Sequence, residues 1–354
     1  MRTLYEIIDV LSAGQFPLKE ELIALLECED EEVLSALYDR GRETAQNNFG
    51  NEIYLRGLIE FTNICRNDCY YCGLRRSNTC ADRYRLDDET IFGCCALGYE
   101  LGFRTFVLQG GEDGGIPDHE ITSLVRMIKE KYPDTAVTLS VGERSRDTYR
   151  EWFEAGADRY LLRHETASFS LYRKWHPESL KLGNRIRCLY DLKDLGYQVG
   201  AGMMVGAPFQ TTADLVEDIL FMKELNPEMI GMGPFIPHKD TPFRDYPAGS
   251  AEMTYKLLAI LRLLFPDVLL PATTALGTLV KDGREKGILA GANVIMPNLS
   301  PTDVKAKYLL YNGKIATGEE AAENWRKLEK RLEAIGYTAS LSRGDSPRFT
   351  KKVR

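Results

Sequence analysis

The chain of 354 residues holds no apolar run long enough to cross a bilayer; its best candidate, 257–270, is broken by Arg262, Pro266 and Asp267. The first residues, Met1-Arg-Thr-Leu-Tyr-Glu, lack the apolar region and small-residue cleavage site of a secretory signal. There is no basic excess either: 45 Lys and Arg stand against 52 Asp and Glu, a formal net charge of −7. That balance argues against a general nucleic-acid binder. No cysteine follows Cys188, and the eight present, with Cys94 and Cys95 adjacent, do not form the pattern of a secreted disulfide framework. These absences predict a soluble cytoplasmic protein with neither membrane nor nucleic acid as partner.

What is present is a dense cysteine loop. Cys65-Arg-Asn-Asp-Cys69-Tyr-Tyr-Cys72 follows an apolar, strand-like run at 57–62. Three thiolates in one tight loop suit three irons of a [4Fe–4S] cluster, leaving the fourth iron open to chelate a substrate. A four-cysteine zinc site that adds Cys80 is the alternative, but structural zinc sites more often come as two close pairs.

Residues 3–48 read as helices, with apolar residues at helical spacing in 18–27. From Gly57 onward, strand candidates at 57–62, 105–109, 136–141, 159–163, 198–205, 229–235, 268–273 and 292–296 alternate with amphipathic segments. Eight such units predict an α/β fold, a full (β/α)8 TIM barrel with a parallel sheet. The expected division is a helical extension at 1–50, the barrel at 51–300, and a loop, helix and tail at 301–354. The stretch 318–336 reads as a charged amphipathic helix, and the basic tail from Ser340 as a surface arm. In a barrel the active site lies at the C-terminal ends of the strands, and the cysteine loop follows the first of them.

Other strand ends carry polar or small residues. Gln109-Gly110-Gly111-Glu112 follows the second strand, Ser140 ends the third, and Arg163-His164-Glu165 ends the fourth. Two glycines at a strand end leave backbone groups open to a ligand. Arg, His and Glu together are costly to bury unpaired. Thr273 and Thr274 end the seventh strand, and Met296 lies in the eighth.

The cysteine spacing, with aromatic Tyr71 before the last cysteine, resembles the signature of the radical S-adenosylmethionine (SAM) superfamily. The GGE at 110–112 resembles that superfamily's second motif. The runs GADRYLLRHETAS, GAPFQT, GPFIPHKDTP, PATTALGT and GANVIMPN resemble the hydrogenase maturase family HydE over roughly residues 50–300. The resemblance implies one [4Fe–4S] cluster on Cys65, Cys69 and Cys72, and SAM as the second cofactor. SAM would be contacted by Tyr71, Gln109, Gly110, Gly111, Glu112, Ser140, Arg163, Glu165, Arg185 and Met296. Here Glu165 would take the ribose and the two arginines the carboxylate. Arg159, Thr273, Thr274 and Tyr308 are the residues expected on the substrate. That substrate would be an iron–carbonyl–cyanide–cysteine precursor or another small amino-acid-like molecule. HydG, HydF and a reduced ferredoxin or flavodoxin are the implied partners. A PylB-like mutase making methylornithine from lysine is the nearest rival. Biotin synthase is disfavoured, since the second and third strands carry no cysteine for a second cluster. A non-enzymatic scaffold would have no use for Glu112, Arg163 and Glu165 at successive strand ends.

Overall fold

Seven of the eight apolar runs of the barrel region form strands and the eighth, at 268–273, contributes single bridges; the amphipathic segments between them return the chain so that the next run lies parallel. The computed structural model describes residues 2–315 and 325–349. Leu58 pairs with Val107, Val107 with Thr138, Thr138 with Arg159, Arg159 with Gln198, and Gly200 with Met229. Single bridges carry the ring onward from Met229 to Leu269, from Pro271 to Val294, and from Asn298 back to Leu58. The parallel sheet therefore closes on itself as a (β/α)8 barrel. Its strands are Gly57–Thr62, Thr105–Gly110, Ala136–Ser140, Arg159–Leu161, Gln198–Ala201, Met229–Ile230 and Val294–Ile295, with the seventh position filled by the single bridges at Leu269 and Pro271.

The run expected as one strand at 198–205 breaks at Gly202 and resumes at Met204–Val205, which pairs with Gly233–Pro234. A Cβ at Gly202 would sit 1.7 Å from Gly231 O, so the two crossing segments touch backbone to backbone there.

Ahead of the barrel come the helices Leu4–Ser12, Lys19–Leu26 and Glu31–Phe49. The first starts at Thr3, whose hydroxyl accepts from Glu6 N; the third starts at Asp30, whose carboxylate accepts from Glu32 N and Val33 N. The third lies along the barrel helix Ala251–Leu264, close enough that a Cβ on Gly41 would be 3.1 Å from Ala259 Cβ. No helix among the described residues is long and apolar enough to cross a membrane.

The tail corrects one expectation. Residues 338–349 are no surface arm; they close the barrel floor, the end where the strands begin. Thr338–Ser340 adds a parallel strand to Glu52–Leu55. Beyond it, Arg343 O accepts from Thr105 Oγ1 at 2.8 Å and from Arg159 Nη2 at 2.6 Å. Asp345 Oδ1 takes the same Arg159 at 2.6 Å and Gln198 Nε2 at 2.7 Å, while Ser346 N donates to Gln198 Oε1 at 2.9 Å. These strand-start side chains are buried, and polar groups there need partners that water cannot supply. Of the helix expected at 318–336, Trp325–Glu333 is observed and residues 316–324 lie outside the described part.

Candidate active site

Cys65, Cys69 and Cys72 leave the first strand at the opposite, open end of the barrel and line a cavity of about 390 Å³. Their loop is stitched from within. Arg83 donates to the carbonyls of Asn63, Leu74, Arg75 and Asn78, and the Asp68 carboxylate accepts from Arg75 and Ser77. Burial, and after it the neighbouring thiols, push the Cys72 thiol up to about 12 and Cys69 higher still. Three thiols that oppose one another's ionisation suit a cationic centre, which would reverse that balance. Cys80 is exposed and does not line the cavity with the other three, so among the described residues no fourth thiol stands ready to close a zinc site. The residues present thus fit a multi-iron cluster better than a closed zinc site.

The two glycines after the second strand have a sharper role than openness to a ligand. A Cβ on Gly111 would lie 2.2 Å from Ile64 O and 2.9 Å from Cys65 Cβ, so the strand end packs directly on the cysteine loop. Glu112 completes that contact. Its buried carboxylate accepts from Arg66 Nε at 2.8 Å, Asn67 Nδ2 at 3.0 Å and Glu143 N at 3.0 Å, and its carbonyl accepts from Arg66 N. Gly111→Ala is expected to displace the loop and leave at most about a tenth of the native iron after reconstitution, read by iron assay against a refolding control.

The fourth strand's end holds an ion-pair chain. Arg163 Nη2 lies 2.9 Å from Glu165 Oε2, and Arg185 Nε lies 3.0 Å from Glu143 Oε1 while its Nη1 donates to Arg163 O at 3.1 Å. Glu165 has φ of 71°, a left-handed backbone uncommon outside glycine, fixed by bonds from Glu165 N to Gly202 O and from Met204 N to Glu165 O. Arg163 Nε and Thr273 Oγ1 line the cavity and are buried without a hydrogen-bond partner. Such orphaned donors are what an anionic ligand would satisfy. His164 is fully buried and bonds Asp218 at 3.0 Å, so it braces the strand and does not face the cavity.

Gln109, Gly110, Ser140, Thr274, Met296, Tyr71 and Tyr308 all line the same cavity. Arg159 does not. It begins the fourth strand, so it stands on the barrel floor, held by Asp345 and the Arg343 carbonyl. The structure thus places it below the cavity expected to hold substrate, in a small pocket that shares Leu161 and Met229 with that cavity.

Three groups in or beside the cavity, Glu60, Lys314 and His176, escaped the sequence reading. Glu60, inside the first strand, pairs with Lys314 at 2.6 Å and accepts from Asn298 at 2.8 Å; burial pushes its carboxyl up against the pull of Lys314. A lone Glu in an apolar strand was its signal. His176 lies behind Tyr71, whose hydroxyl donates to Nε2 at 3.1 Å while Nδ1 donates to Tyr172 O at 2.9 Å. Burial holds His176 down to about 3, so the ring stays neutral.

Comparison with known proteins agrees with this geometry. The radical SAM superfamily profile matches residues 59–222. The [FeFe] hydrogenase maturase subunit HydE of Thermotoga maritima is 45% identical over 98% of this chain and 99% of that protein. The 3-methylornithine synthase of Methanosarcina acetivorans is 31% identical over 90% and 89%. Among solved structures, methylornithine synthase (PylB) superposes with a TM-score of 0.81 at 26% identity, over 94% of this chain and 97% of that one. HydG, a maturase of the [FeFe]-hydrogenase, shares the fold with a TM-score of 0.82 at 21% identity, over 96% and 76%. A cavity that joins a three-cysteine loop to a GGE strand end, in a chain this similar over nearly its whole length, belongs to a radical SAM enzyme of the HydE family.

Proposed function

We propose that this chain acts in assembly of the [FeFe]-hydrogenase H-cluster, on a small anionic iron–carbonyl–cyanide–cysteine precursor, alongside HydG and HydF. The cofactors are SAM and a single [4Fe–4S] cluster held by Cys65, Cys69 and Cys72. When bound, the cluster supplies the electron that cleaves SAM to methionine and a 5′-deoxyadenosyl radical. The observation that carries the reading is one cavity shared by the three thiols, the orphaned Arg163 and Thr273 donors, and Thr274.

The chain's own residues bind and shield. Arg185, already committed to Glu143, fixes the Arg163 backbone; Arg163 keeps donors free for a carboxylate. Tyr71 and Met296 offer flat and apolar surface for the adenine, and Glu165 an acceptor for ribose hydroxyls. Tyr308, 2% exposed, closes the mouth over Lys314 and Glu60, keeping water from a reactive radical.

The test is anaerobic maturation of apo-hydrogenase by HydG and HydF with and without this protein. Hydrogen evolution should depend on it, and Arg163→Ala should lower maturation roughly a hundredfold, with lysine a poor replacement. Reconstituted protein should carry about four irons per chain, and about eight would contradict the single cluster. The second reading, a lysine mutase, rests on the similarity to 3-methylornithine synthase. Methylornithine formed from lysine, with no effect on maturation, would select it.

A further inference from the structure

An aromatic ridge crosses the surface beside the cysteine loop. Phe209 is 50% exposed and Tyr246 37%, high values for such side chains. The ridge runs inward ring by ring. Phe209 and Tyr246 meet at 5.5 Å, both touch Phe243, at 6.2 and 5.4 Å, and Phe243 meets Tyr70 at 6.2 Å. Tyr70 is the residue next to Cys69, and Phe243 N donates to its carbonyl. One buried ring thus separates exposed Phe209 from the cysteine loop. Beneath lies a small apolar core of its own, with Leu171, Trp175, Met204, Ala207, Phe235 and Phe243.

The chain holds Phe209 outward at a cost. Its φ is 70°, a true outlier for a bulky side chain. Trp175 Nε1 donates to Pro208 O at 2.8 Å, and the Gln210 amide bridges Gly206 N and Met204 O at 2.6 and 2.8 Å. An over-determined turn that presents an exposed aromatic is unexplained by packing alone.

Charge around the ridge runs against the charge of the whole protein. Arg76, Arg173, Lys174, Lys239 and Arg244 are exposed on the segments that bear it, and Lys174 Nζ sits 5.3 Å over the Phe209 ring. Arg244 is offset by Asp245 and Asp68 by Arg75, and Glu178, Asp240 and Asp214 carry the remaining negative charge, so the cationic excess rests on Arg76, Arg173, Lys174 and Lys239. A cationic, aromatic face on a protein of net charge −7 selects an acidic partner by electrostatic complementarity.

We propose that this face is the docking surface for an acidic single-electron carrier protein. The inference rests on the function proposed above, in which one electron must reach the cysteine loop from outside. The carrier gives up one electron and the cluster gains it, with no bond made or broken and no proton moved. Docking here brings the donor onto the ring chain that leads through Phe243 to Tyr70, beside Cys69.

The test uses the reconstituted full chain and an acidic flavodoxin. Its oxidised form is titrated for direct binding at low and moderate salt. Its reduced form drives SAM cleavage, with dithionite as the partner-free reductant. Arg173→Glu with Lys174→Glu, and separately Phe209→Ser, should each weaken flavodoxin binding about tenfold or more, and native binding should weaken with salt. Dithionite-driven cleavage should stay within about twofold, since neither variant touches the cavity. Unchanged flavodoxin affinity in both variants overturns the docking surface and leaves the function standing. Capture of HydG or HydF by this face, with no flavodoxin bound, also overturns it. Failure of the unaltered chain to cleave SAM with dithionite overturns the function itself and this inference with it.

Discussion

Cys72→Ser is expected to abolish cluster assembly and to lower SAM cleavage on the order of a thousandfold or more, about 4 kcal/mol of barrier. Cys65 and Cys69 should behave alike. The three thiols line one cavity and no fourth cysteine of the described chain joins them, so a lost thiolate has no substitute. Serine offers a harder oxygen donor where iron–sulfur clusters need soft sulfur. Anaerobic absorbance, iron content and 5′-deoxyadenosine yield read the result together. Cys80→Ser is the control, and should remain within about twofold of the native chain. A Cys72→Ser protein that keeps its brown colour and its turnover would remove the loop from the site.

The second large effect is on stability. Asp345→Ala is expected to destabilise the fold by about 3 kcal/mol at neutral pH, because it leaves Arg159 buried and without its carboxylate. Gln198 loses its acceptor in the same step. Burial alone would raise the Asp345 carboxyl, yet the hydrogen bond from Arg343 and the charge of Arg159 outweigh it and hold the group well below the usual carboxylate range. A depressed native value stabilises the fold above the unfolded carboxylate value of about 4, and the benefit fades as pH falls below it. Denaturant titrations should therefore show native and Asp345→Asn chains far apart at pH 7 and converging toward pH 2. A constant gap across that range would mean that the charge of Asp345 is not what secures the floor.

The barrel was legible because its code is local. Eight apolar runs, spaced by amphipathic helices, specify strand order and parallel direction, and a C-x3-C-x2-C loop after the first strand needs no long-range information. Arg163, Glu165, Thr273 and Thr274 were legible for the same reason, since each follows a strand and so faces the cavity. Arg159 and Arg163 look alike in composition, but they stand at opposite ends of one strand, and direction along the strand separates floor from mouth. What stayed hidden depends on contacts far apart in sequence. Tyr71 meets His176 across 105 positions, and Lys314 meets Glu60 across 254. The polar tail gives no apolar pattern, because it meets the floor through single side chains on the second, fourth and fifth strands.

The floor also sets a schedule for synthesis. Glu52 pairs with Thr338, and Arg56 Nη2 donates to Gly344 O, partners separated by most of the chain. A nascent barrel emerging from the ribosome holds Arg56, Arg159 and Gln198 without these partners until residues 338–346 arrive. Sealing of the floor is thus a late, high-contact-order event, and a stalled or clipped chain exposes the strand Glu52–Leu55 as a free edge.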